Sequence, residues 1–149
     1  MPKDGRSDIL TTYHFYIEVQ GDSWGSFREC SGLVHEQEVI THVQSGKDGK
    51  LIIHKVPGAP KAGELTLKRA LTDDMRFWAW RKEIDEGKVV SGRKNGAVVM
   101  YDQENGEIAR WAFTAAWPSK ITGPSLNANS NEVAVEEVTL TYESLARSK

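Results

Sequence analysis

The residues that could do chemistry are few, and their spacing does not bring them together. Ser23 sits in Gly21-Asp22-Ser23-Trp24-Gly25, a formal match to the G-x-S-x-G nucleophile elbow. That elbow needs a sharp strand-to-helix turn in a large α/β domain, whereas here a short turn joins two strand-like runs, and turn composition explains the match. The segment from Gly58 to Gly63 opens like a phosphate-binding loop, but Glu64-Leu65 stand where the lysine and hydroxyl should be. His14, His35, His42 and His54 have no H-x-x-x-H spacing, and the single Cys30 rules out an internal disulfide or a multi-cysteine zinc site. The couples Asp73-Asp74 and Glu136-Glu137 are adjacent residues, which point in different directions on a strand or a helix, so neither converges as an acid–base pair. No catalytic residue, cofactor site or metal site is predicted. The five tryptophans read as core or interface.

Length and composition fit that outcome. The 149 residues, 39% apolar and 27% charged, make one folded domain spanning 1–149, since compact domains most often run to about 100–150 residues. Residues 1–12 are expected to be a flexible N-terminal segment. The longest apolar runs, such as 97–100, hold about four residues against the roughly 20 a membrane span needs, and no apolar stretch follows the charges of 1–8. Cytoplasmic synthesis and no membrane binding by the chain itself are the expectations. A formal net charge of −2 lacks the clustered basic excess of a nucleic-acid or membrane-surface binder, which leaves proteins as the expected partners.

The elements that position these residues are mostly strands. Tyr13, Phe15, Ile17 and Val19 alternate on one face, Gly21-Asp22 turn the chain, and 27–30 and 36–43 read as the next strands around a bend at Ser31-Gly32. From 44 to 63 the character changes: a flexible tip at 46–49, a short apolar strand at 51–56 and a proline-stiffened exit at 57–63. A loop this long with an apolar centre is expected to be a projecting arm that packs on something else. A strand at 64–69 leads to one helix, capped by Thr72, charged by Asp73 and Asp74 at its positive end and stopped by Gly87, with Phe77, Trp80 and Ile84 on its inner face. A hairpin follows around 102–106. In its second leg Ala109, Trp111, Phe113, Ala115 and Trp117 are expected to share a face. A polar connection over 118–131 precedes the last strand, 132–143, whose inward face is expected to slip at Glu136-Glu137.

Several short segments, taken in order, carry a resemblance: Phe27-Arg28-Glu29-Cys30-Ser31-Gly32-Leu33, Lys55-Val56-Pro57-Gly58, Leu65-Thr66-Leu67-Lys68-Arg69 and Phe77-Trp78-Ala79-Trp80. Arg93-Lys94-Asn95-Gly96, Ala109-Arg110-Trp111, Ala116-Trp117-Pro118-Ser119-Lys120-Ile121, Gly123-Pro124-Ser125-Leu126 and Ser130-Asn131-Glu132-Val133 continue it. Together, over about 15–145, they resemble the contractile phage tail-tube protein family, including the inner-tube proteins of phage-tail-like contractile injection systems. The resemblance implies a mostly β fold of two packed antiparallel sheets, a small sandwich or barrel with one flanking helix and a long extended hairpin arm. It implies six copies closing into a ring, and rings stacking into a hollow conduit that carries a protein effector or DNA. The implied partners are other copies, a sheath protein, baseplate hub and spike proteins, and the cargo in the lumen. The subunit would be made in the bacterial cytoplasm and assembled into a contractile particle or phage tail, with extracellular release of the particle a further possibility.

By the same resemblance the arm at 44–63 reaches a neighbouring subunit or the next ring through Lys47, Lys50, Leu51, Ile52, Ile53, His54 and Val56. Free sheet edges, an aggregation hazard in isolation, would be satisfied by neighbours, and head-to-tail association would close a ring while stacking leaves an open filament. Two other roles compete: a paralogous ring that starts or ends the tube, and a monomeric β-barrel with a ligand in its interior.

Overall fold

The structure is a computed structural model that describes residues 14–61, 63–102, 104, 106–129 and 133–149; the N-terminal segment 1–12, expected to be flexible, lies outside them. The first hairpin joins β1 (His14–Val19) to β2 (Asp22–Phe27). Its two-residue turn is Gln20-Gly21, at φ +52° and +85°, with Val19 opposite Asp22. Positive φ at both positions matches the twist of the flanking strands, so the turn lies one residue earlier than Gly21-Asp22. The expected strand over 27–30 is split at Arg28: β2 ends at Phe27, and β3 (Glu29–Ser31) pairs elsewhere.

Two antiparallel layers follow from one long strand that serves both. The body strands β6 (Gly63–Ala70), β7 (Lys94–Tyr101), β8 (Glu107–Thr122), β9 (Val135–Tyr142) and β10 (Ser144–Arg147) complete the order β2-β1-β7-β8-β9-β6-β3, with β10 beside β8. β8 pairs with β7 and β10 through its first two thirds and with β9 from Trp117 onward. The changeover is at Ala115, whose φ is +50° and whose N–H donates to Asn95 Oδ1 at 2.9 Å. β9 and β10 bend with it in one register, Trp117 opposite Thr141 and Thr114 opposite Ser144. At the far side the path returns on itself, since only Arg28 separates β2 from β3 and its N–H donates to Lys68 O at 2.8 Å.

The corner corrects the expected faces of β8. Ala109 and Phe113 point inward before Ala115, and Ala116 and Pro118 after it, because a left-handed residue in a strand shifts the alternation by one position. The strand also runs through Pro118 to Thr122, where a connection was expected. The interior between the layers is filled by Ile17, Val19, Leu65, Leu67, Phe113, Val138 and Leu140.

Helix α1 (Arg76–Asp85) closes one side of this core with Phe77 and Trp80 buried. It begins four residues after the expected cap. Thr72 Oγ1 accepts from Asp74 N–H at 3.2 Å, and Asp74 in turn accepts from the Arg76 N–H at 3.1 Å and from its guanidinium at 2.7 Å. The polar triplet therefore builds the entry turn rather than the first helical turn. The chain leaves through Gly87 at φ +81° into a second helix, α2 (Val89–Gly92), too short to announce itself in sequence. Trp80 Nε1 donates to Gly92 O.

The expected slip in β9 is absent. Glu136 lies on the same inward face as Val138, Leu140 and Tyr142 and is 2% exposed. It faces Arg69 across the β6–β9 ladder, with Arg69 Nε donating to Oε2 at 3.4 Å and Trp78 Nε1 to Oε1 at 2.8 Å. A buried charge met by its partner keeps the alternation intact, which apolar patterning alone cannot show. Among the described residues no helix is long and apolar enough to cross a membrane.

Candidate assembly surface

Among the described residues, strands β4 (Glu36–Ser45) and β5 (Leu51–Lys61) pair only with each other, as a two-stranded ribbon. The strand expected over 36–43 is the ribbon's first leg, so the extended element covers Glu36 to Lys61 rather than the 44–63 expected for the arm. Both legs carry β-branched residues at strand spacing, which favours extended backbone, and a bulge between Gln37 and Val39 adds local twist. The tip is a tight turn: Gly46 N–H donates to Lys50 O at 2.8 Å, Gly49 N–H to Gly46 O at 3.1 Å, and Gly49 takes φ +71°.

The ribbon leaves the body through a crowded root. Gly32, at φ +90°, brings its α-carbon so near the Glu64 carbonyl that a β-carbon there would sit 2.0 Å from that oxygen. The Tyr142 hydroxyl lies 3.2 Å from the carbonyl oxygens of both Gly32 and Val34 and offers them its one proton. On the returning strand a β-carbon on Gly63 would be 2.5 Å from the same hydroxyl. Burial pushes the Tyr142 phenol upward, so it keeps its proton for these carbonyls. Glu36 and Lys61 pair at 3.6 Å, and Gln37 Nε2 donates to Gly58 O at 2.6 Å.

Beyond the root every residue of both legs is exposed except half-buried Gly58. The register places Ile40 opposite Val56, His42 opposite His54 and Gln44 opposite Ile52 on one face; Val43 opposite Ile53 and Ser45 opposite Leu51 lie on the other. The sequence-derived residues thus divide: Lys47 and Lys50 at the tip, Leu51 and Ile53 on one face, Ile52, His54 and Val56 on the other. Val39, Ile40, His42 and Val43 were missed as members of this surface. Their alternation is visible in the sequence, but it reads equally well as a strand of the body. Val39, Ile40, Val43, Leu51, Ile52, Ile53 and Val56 are 44–69% exposed, an apolar concentration that a solitary soluble domain seldom leaves uncovered.

Among the described residues the body brings no set of reactive side chains together. Ser23 is an exposed residue within β2, leading from strand to strand, and no elbow forms. His14 stacks on Tyr101, and the His42 and His54 rings stand 6.4 Å apart. Among the described residues no group of three metal-ligating side chains forms. On the outer face of β1 and β8, Arg110 bridges Glu18 and Glu107 at 2.8 Å each; these carboxylates raise its pKa, and the guanidinium lowers that of Glu107. This is a surface ion network on a rigid sheet.

A closed β body with a filled interior and an uncovered apolar ribbon defines a subunit of a larger structural assembly. The chain belongs to the T4-like virus tail tube protein gp19 family, whose profile matches residues 11–146. The family is one of tail tube proteins, structural parts rather than enzymes. The fold is similar to the sheath-tube complex of the PVC extracellular contractile injection system (TM-score 0.78, 23% identity, 93% of this chain and 90% of that one). It is similar to the anti-feeding prophage tube-terminating cap (TM-score 0.81, 22% identity, 99% and 96%). Hcp1 from Flavobacterium johnsoniae is more distant, with TM-score 0.57, 15% identity, and 91% and 95% covered. No curated protein matches the chain. The two-layer β fold and the tail-tube family implied by the sequence resemblance are those found.

Proposed function

We propose that this chain is the inner-tube subunit of a contractile injection system or phage tail, forming hexameric rings that stack into a conduit, with the ribbon Glu36–Lys61 docking on neighbouring copies. The carrying observation is the ribbon itself: seven large apolar side chains, each at least 44% exposed, on an element that its own body does not cover. Covering about half of one such side chain stabilises association by roughly 1 kcal/mol, and six-fold repetition in stacked rings multiplies the gain.

Sheath protein surrounds the tube, baseplate hub and spike proteins start it, and cargo, a protein effector or DNA, passes through the lumen. Synthesis in the bacterial cytoplasm and incorporation into a particle that acts outside the cell complete the reading. The neighbours' sheath-tube, cap and baseplate assemblies support it. Electron microscopy of the purified chain tests it. Deleting residues 46–50, or replacing Ile52 and Ile53 with Asp, should preserve the circular dichroism spectrum and abolish stacking; tubes of normal length from these variants refute the arm's role. A second reading, a tube-terminating ring, is favoured by the likeness to the cap. It predicts single rings that never elongate.

A further inference from the structure

The geometry points to a metal site on the ribbon that sequence spacing conceals: His42 and His54 together hold one divalent transition-metal ion, Cu²⁺ ahead of Ni²⁺ and Zn²⁺, and in doing so clamp β4 to β5. The two histidines are 12 positions apart, so no short motif joins them. The ribbon's register sets them directly opposite each other, and opposed residues of an antiparallel pair project from the same face with β-carbons about 4.5–5.5 Å apart. Their rings stand 6.4 Å apart, centre to centre, and lie within 28° of parallel. Both side chains are exposed. Bonds of about 2.0–2.1 Å to one ion hold two imidazole nitrogens roughly 3 Å from each other, an approach that rotation of two unpacked side chains supplies without moving the backbone.

The surroundings select the class of ion. Ile40 and Gln44 flank His42 on this face, and Ile52 and Val56 flank His54, so the pair has no charged side chain beside it. No lysine there repels a cation, and no carboxylate draws a hard one. Imidazole donors suit copper, nickel and zinc, whereas magnesium and calcium take oxygen ligands, and affinity among the first group is highest for Cu²⁺. The ion's remaining positions fall to water. By contrast, His14 stacks on Tyr101 and His35 lies outside any strand. A two-stranded ribbon is only marginally stable in water. An ion joining residues 42 and 54 closes the loop between them, which fixes the register and holds the tip against fraying.

None of this requires a second copy of the chain, so dilute subunit is the sample. Cu²⁺, Ni²⁺ and Zn²⁺ are each titrated in by calorimetry, and the Cu²⁺ form is read by electron paramagnetic resonance. One ion per chain should bind, with two nitrogen ligands in the Cu²⁺ spectrum. His42→Ala and His54→Ala should each weaken binding at least about tenfold, while His35→Ala leaves it unchanged. All three sites are exposed, and circular dichroism should show each variant folded. Metal should slow amide hydrogen exchange between 42 and 54 in the wild-type chain and in neither ribbon variant. Equal affinity in the wild type and the ribbon variants, or a spectrum with a single nitrogen ligand, would overturn the site. Binding that leaves exchange unchanged would overturn the clamp.

Discussion

Replacing Glu136 with Ala should strongly destabilise the body. The carboxylate is 2% exposed and its partner Arg69 is 5% exposed. It accepts from Arg69 Nε and from the Trp78 indole, and the guanidinium rests 5.1 Å from the Phe77 ring centre and 5.6 Å from that of Phe27. Once the carboxylate is gone, the nearest remaining anion is Asp74, 3.8 Å from Nη1, with the Asp74 carbonyl at 3.3 Å from Nη2. Breaking a buried pair from one side costs about 3–5 kcal/mol, and the longer contact to the more exposed Asp74 offsets only part of it. The half-exposed Trp78 can turn to solvent and adds little.

Equilibrium urea unfolding of dilute subunit, followed by tryptophan fluorescence, reads this directly. With a slope of about 2 kcal/mol per molar, the midpoint should fall by roughly 1.5–2.5 M. Glu136→Gln keeps the shape and an acceptor for Trp78 and should cost less, about 1.5–3 kcal/mol. The combined Arg69→Met, Glu136→Leu variant should return to within about 1–2 kcal/mol of wild type or exceed it. A loss below about 1 kcal/mol for Glu136→Ala, or a double variant no better than the single, would refute the account.

Ala115→Gly should raise the melting temperature by a few degrees, since an L-residue in the left-handed region costs about 1–2 kcal/mol and Gly recovers part of it. Gly32→Ala should cost about 2–4 kcal/mol in the same urea assay, because its new β-carbon meets the Glu64 carbonyl at a positive φ. The Arg76 guanidinium holds the Asp74 carboxyl at about 2 against an ordinary 3.8; the unfolded chain therefore takes the proton first, and this contribution is present above pH 4 and lost as pH falls towards 2. Asp74→Asn should flatten that acid limb in urea midpoints measured from pH 5 to pH 2. Burial pushes the Cys30 thiol up to about 12, so alkylation at pH 8 should be on the order of 100-fold slower in the folded chain than in urea.

The parts of the fold legible in the sequence were those written in alternation and turn chemistry: β1, β6, the hairpin of β7 and β8, and the inner face of α1. What stayed hidden has a common cause, since in each case the deciding contact is distant in the chain. The inward place of Glu136 depends on Arg69, 67 residues away, and the bend at Ala115 depends on the Asn95 amide, with no glycine to mark it. For the assembly surface, the second leg of the ribbon was read from its apolar run and prolines. The first leg was assigned to the body because a strand's partner cannot be told from its own pattern. The Tyr142 hydroxyl fixes the ribbon's exit through carbonyls more than 100 positions away, which its own strand pattern does not reveal.

A two-stranded ribbon has two unsatisfied borders, and here they are unequal. Each leg carries two charged side chains, but the β5 border is also blunted by Pro57 and Pro60, which lack an N–H, whereas β4 has no proline from Glu36 to Ser45. The vulnerable period is the interval between release from the ribosome and capture by a growing particle, when the β4 side stands ready to recruit any extended chain. Overproduction without the remaining particle components should therefore push this subunit into inclusion bodies seeded from that side. A single charged or proline substitution on the outer rim of β4 should improve soluble yield.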